Sequence, residues 1–263
     1  MLGSAANVAY MRGDYTRAER LARAGLERAT DAGGALRCLS ALALADLSRG
    51  AYGDVVEHAL AAAALTTRSS ENLGIAALAA TYAGDLDQAR ELNSRMVAAA
   101  VSPTLCAFGA YVEGEIANAA GRAHRAEEHY ARAIDLAHSS GATFVIGIAS
   151  VGRLTVKANA GRVDDALRGY RDLIDYWHRS GNWTQQWVTL RNLAQLLRRL
   201  GDNQPAALLD AAAEQAPDAP GTNVPADPLA AVAASTRPRV PPRPPPSAGP
   251  APSKQPDRPS MTG

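Results

Sequence analysis

Gly84-Asp85-Leu86-Asp87-Gln88-Ala89 separates two stretches whose apolar residues recur at helical spacing. Before it, Glu71 to Tyr82 carries Leu73, Ala76, Ala77 and Ala80; after it, Leu86 to Ala99 carries Ala89, Leu92, Met96 and Val97. Intervals of three and four residues place such side chains on one face of an α-helix. Glycine accepts the left-handed backbone that ends a helix. The Asp that follows offers a side-chain oxygen to the open amides of the next helix. Ala89 then falls one turn into the second helix, where a large side chain would hold the two helices apart. The stretch predicts helix, tight turn, helix.

The same arrangement recurs along the chain. Gly13, Gly50, Gly84, Gly121, Gly161 and Gly201 stand 37, 34, 37, 40 and 40 residues apart. Five residues after each comes a small apolar residue: Ala18, Val55, Ala89, Ala126, Ala166 and Ala206. A period of this size marks an array of helical hairpins. Other boundaries agree. Ser102-Pro103 starts a helix with proline in its first turn. Ser139-Ser140-Gly141 and Ser180-Gly181-Asn182 separate successive units, and Pro205 sits in the first turn of the last helix. The expected fold is an all-α solenoid of about six helix-turn-helix units, twelve helices in all, spanning residues 1–216.

Composition changes at Pro217. Of the 16 prolines, only Pro103 and Pro205 precede it. Residues 217–263 are rich in Pro, Ala and Arg and lack periodicity, so they cannot bury enough apolar surface to offset their ordering entropy. We expect a disordered tail of polyproline character. Its Arg239-Val240-Pro241-Pro242-Arg243-Pro244-Pro245 fits a polyproline docking segment, although a passive tail is the preferred reading. In the chain as a whole, hydrophobic residues make up 47 % and aromatic ones 5 %, which suits a closely packed Ala, Leu and Val core. A net charge of +1 argues against direct binding of nucleic acid. The two cysteines, Cys38 and Cys106, read as reduced and buried. The first residues lack the basic and apolar regions of a signal peptide, and no segment has the length of a membrane span. A cytoplasmic protein is expected.

Motifs that carry chemistry are missing. A phosphate-binding loop needs a Gly-Lys-Ser/Thr run, whereas the lysines are Lys157, after Val156, and Lys254 in the tail. Gly147-Ile148-Ala149-Ser150-Val151-Gly152 lacks the spacing of a hydrolase elbow. His58, His124, His129, His138 and His178 form no metal-ligand pattern. Arg12-Gly13-Asp14 spells an adhesion tripeptide, but the hairpin turn accounts for all three residues. Neither enzymatic activity nor a cofactor or metal is expected.

The turns Gly13 to Ala18, Gly84 to Ala89, Gly121 to Ala126 and Gly161 to Ala166 resemble those of tetratricopeptide repeats. So do the small residues seven positions before the glycine, among them Ala6, Ala43, Ala77, Gly114 and Ala194. The terminal proline of that motif is mostly missing, and two intervals reach 40 residues. The run Tyr176-Trp177-His178-Arg179-Ser180-Gly181-Asn182-Trp183-Thr184-Gln185-Gln186-Trp187 looks like the end of the helical-repeat region of bacterial LuxR/MalT-like signal-transduction ATPase regulators. The resemblance implies a right-handed superhelix. It also implies that the chain is a portion of a longer regulator, without its NTPase, cyclase and helix-turn-helix modules.

In tetratricopeptide arrays the first helix of each hairpin lines a concave groove. Carried onto this sequence, that register gives Asn7, Tyr10, Arg37, Tyr82, Tyr111, Glu115, Asn118, Asn159, Arg191, Gln195 and Arg198 as exposed groove residues. Trp177, Trp183 and Trp187 near one junction read as a packing cluster or a partner hot spot. The expected function is a non-enzymatic protein-interaction scaffold whose partner is a protein, a peptide or an adjacent domain. A small-molecule effector sensor is the alternative.

Overall fold

The structure is a computed structural model that describes residues 1–11, 14–66 and 70–215. Twelve helices follow one another in the described residues: α1 (Leu2–Met11), α2 (Tyr15–Glu27), α3 (Ala32–Arg49), α4 (Tyr52–Ala64), α5 (Ser70–Ala83) and α6 (Leu86–Ala98), then α7 (Pro103–Ala119), α8 (Ala123–Ser140), α9 (Thr143–Asn159), α10 (Val163–Ser180), α11 (Trp183–Leu200) and α12 (Asn203–Gln215). No strand occurs among them. The fold is all-α, as the sequence predicts.

The turn glycines act as their positions require. Gly50, Gly84, Gly121, Gly161 and Gly201 take φ of 73°, 87°, 71°, 80° and 91°. Gly141 and Gly181, both at φ 67°, end α8 and α10 in the same way. Asp14 caps α2 by accepting from the Arg17 amide, and Asp85 caps α6 by accepting from the Gln88 amide, each at 3.0 Å. Ser102 accepts from the Leu105 amide at 3.3 Å to start α7 ahead of Pro103. Gly13, the adhesion-like tripeptide's glycine, and the whole tail from 216 onward lie outside the described residues.

Every small residue five positions after a turn glycine is fully enclosed: Ala18, Val55, Ala89, Ala126, Ala166 and Ala206 are each 0 % exposed. Each helix packs on the next in the chain. The odd-numbered helices also pack on one another in series, α1 on α3, α3 on α5, α5 on α7, α7 on α9 and α9 on α11. No two successive even-numbered helices pack to a comparable extent among the described residues. The chain therefore forms a continuous row of odd helices with the even helices standing behind it.

The main core runs from Ala43 in α3 to Trp177 in α10, with smaller clusters around Leu42 at one end and Tyr170 at the other. Glycines in mid-helix admit the largest side chains: Gly74 faces Met96 and Phe108, Gly114 faces Tyr130, and Gly169 faces Leu154. Hairpins are also tied by charge. Buried Asp46 in α3 bonds to His58 Nδ1 at 2.8 Å and to Arg49, which in turn reaches Glu19 of α2. Glu127 of α8 bonds to Arg162 beyond α9. Cys38 is buried, but Cys106 is exposed, contrary to the sequence reading. It lies in the first turn of α7, ahead of the stretch from Ala107 that enters the core. Among the described residues, no helix is long and apolar enough to cross a membrane.

Candidate functional site

The row of odd helices carries all eleven side chains that the register assigns to a groove, but it does not present them alike. Asn7, Arg37, Asn159 and Arg198 are exposed, while Tyr10, Asn118, Arg191 and Gln195 are half-buried. Tyr82, Tyr111 and Glu115 are 5 %, 7 % and 6 % exposed, so they are part of the interior and not an open floor.

That correction has a physical cause. Helix periodicity says which residues share a face, but not what the facing helices lay over them. Here Tyr130 from α8 enters a slot between Gly114 of α7 and Gly152 of α9. Its hydroxyl donates to Glu115 Oε1 at 2.7 Å. The Tyr82 hydroxyl donates to Glu115 Oε2 at 3.3 Å, and the Tyr111 hydroxyl lies 3.4 Å from that of Tyr82. Burial, then the Glu115 charge, pushes the Tyr82 phenol well above its ordinary range. The rings of Tyr52 and Tyr82 lie 5.7 Å apart, those of Phe108 and Tyr111 6.2 Å, and those of Tyr111 and Tyr130 6.1 Å. Two phenols thus converge on one carboxylate inside the row, and a third meets one of them. Gly114 and Gly152 were the available signal, because glycine inside a helix marks a close approach.

The ends of the row differ from its middle. Tyr10 and Tyr15 pack with ring centres 5.6 Å apart. Burial raises both phenols, that of Tyr15 to about 12. The Arg191 guanidinium of α11 acts on Tyr15 of α2 in the opposite direction. Arg198 is committed to an ion pair with Asp210 of α12, and Arg199 donates to Asn159 Oδ1 at 2.7 Å. Arg37 stands beside Gly3, where an added β-carbon would meet its own at 2.8 Å.

The tryptophans separate by environment. Trp177 is 0 % exposed and packs against Tyr176 with ring centres 4.7 Å apart. Trp187 is half-buried, and the side chain of Trp183 lies outside the described residues. Trp177 is a core residue.

One feature was not legible in the sequence. A cavity of about 300 Å³ opens between α8 and α10 over α9. Ile134 and His138 come from α8; Ile146, Ser150, Arg153, Leu154 and Lys157 from α9; and Gly169, Asp172, Leu173 and Tyr176 from α10. Beside it, Glu127 gathers three cations: Arg162 in a hydrogen bond, Arg153 Nε at 3.7 Å and Lys157 Nζ at 3.9 Å. The Arg162 bond, offset in part by desolvation, holds the Glu127 carboxyl below its usual range. Compared with models of known protein families and with curated proteins, the chain matches none.

Proposed function

We propose that this protein is a non-enzymatic interaction scaffold: a cytoplasmic, superhelical array of six tetratricopeptide-like repeats that holds a protein segment, or an adjacent domain of a longer signalling regulator, against its row of odd helices. The observation that carries the reading is the unbroken packing of α1, α3, α5, α7, α9 and α11 on one another while the even helices stand behind. Such an arrangement offers one long face built from regularly spaced helices, the kind of surface that repeat arrays use for binding. The buried cluster around Glu115 divides that face into two ends. Asn7, Tyr10 and Arg37 serve one end, and Asn159, Arg191, Gln195 and Arg198 serve the other.

The test is a cross-linking pull-down with the full chain, followed by charge reversal at Arg191 together with Arg198. Loss of about 1–3 kcal/mol of binding to the captured partner is expected for removal of groove contacts. Unchanged binding would remove the second end from the interface. A second reading, effector sensing, is favoured by the cavity beside α9.

A further inference from the structure

We propose that the cavity between α8 and α10 binds a small monocarboxylate with a compact apolar body. The inference does not depend on the scaffold reading, since none of the residues assigned to the groove lines the cavity. Its volume of about 300 Å³ is at the small end of the range for ligand sites. That suits a single ring or a branched chain and not a long acyl tail. Ile134, Ile146 and Leu173 give it apolar walls. Gly169 lets α10 close onto Leu154, where an added β-carbon would stand 2.3 Å from Cδ2.

The charge at one end sets the ligand's polarity. Arg153 and Lys157 lie one turn apart on α9 and both line the cavity. Glu127 is within ion-pair range of each, but its hydrogen bond goes to Arg162. At 3.7 Å from the carboxylate, Arg153 Nε is beyond hydrogen-bond distance. That nitrogen is buried and has no acceptor, while the Arg153 side chain as a whole is 38 % exposed. Leaving a buried donor without an acceptor is costly. One carboxylate counters three cations there. Asp172, which also lines the cavity, is exposed and pairs with Arg171 at 3.3 Å. A ligand carboxylate placed at Arg153 would supply the missing acceptor and balance the excess charge, while Asp172 would repel a second anionic group. A charge-assisted bond of this kind has about twice the strength of a neutral one.

Titration calorimetry on the full chain tests this with phenylacetate, phenylacetamide, dodecanoate and inorganic phosphate as probes. Phenylacetate should saturate one site, at least about tenfold more tightly than its neutral amide. Dodecanoate should bind no more tightly than phenylacetate, and phosphate should not compete. The double variant R153Q/K157Q should weaken phenylacetate about tenfold or more. Ser150→Leu fills the cavity without touching a charge, so it should also abolish binding if the double variant fails to fold. The proposal is overturned if phenylacetate does not bind at roughly millimolar concentration, if the amide binds as well, if phosphate displaces it, or if the folded variants bind like the parent chain.

Discussion

The ring of Tyr130 in α8 lies against Gly114 in α7 so closely that a β-carbon there would stand 2.6 Å from both Cδ1 and Cε1. On the other side, a β-carbon at Gly152 of α9 would stand 2.8 Å from Cζ. Two odd helices thus form a slot for one side chain of an even helix, and the slot delivers its hydroxyl to Glu115. The relationship joins the fourth hairpin to the fifth.

Gly114→Ala should destabilise the protein. Helix propensity alone favours Ala by about 1 kcal/mol, but the clash with a ring that is 0 % exposed costs about 1–3 kcal/mol. The expected net loss is about 1 kcal/mol in urea denaturation. Gly53 in α4 has nothing within 4 Å of the added carbon, so Gly53→Ala should instead be stabilising. Equal effects at the two sites would discredit the slot.

Gly84→Ala tests conformation without crowding. The site has open space but a φ of 87°. A residue with a β-carbon pays about 1–2 kcal/mol for the left-handed backbone. The denaturation midpoint should fall accordingly, with an unchanged helical circular dichroism spectrum at low denaturant.

The two described tryptophan environments predict different outcomes. Trp177→Ala removes a fully buried ring and should cost about 3–5 kcal/mol. Trp187 is half-buried, so Trp187→Ala should cost less than half of that and leave the fold intact. If Trp187→Ala folds yet loses a partner captured by the parent chain, Trp187 is a binding hot spot. Loss of folding would make it structural.

Glu127 should contribute a pH-dependent part of the stability. Its folded pKa lies below the ordinary value of 4.5, chiefly through the Arg162 bond. A depressed carboxyl stabilises the folded state above its unfolded pKa and loses that contribution as pH falls through the folded value. Glu127→Gln should therefore be less stable than the parent chain at pH 7, by about 1 kcal/mol for a partly exposed network. The difference should close as pH drops below about 4.5. A gap that no fall in pH narrows would place its origin in packing and not in charge.

What could be read from the sequence was whatever one hairpin decides for itself. The left-handed glycines, the Asp14 and Asp85 caps, the Pro103 start and the enclosed residues from Ala18 to Ala206 all follow from the geometry of two helices and one turn. These constraints act within about fifteen residues and recur with the period, so they determined the all-α array and its twelve helices. The tertiary structure decided everything that depends on how one hairpin sits on the next. Tyr82, Tyr111 and Glu115 share a face by register, yet Tyr82 of the third hairpin meets Glu115 of the fourth and α9 of the fifth closes on Tyr130 at Gly152, which turns that face into core. Arg162, beyond the end of α9, reaches Glu127 of α8 across 35 positions of sequence. The cavity exists because α8 and α10 do not close over α9. Small offsets between packed helices set all three, and a hydrophobic period carries no record of them.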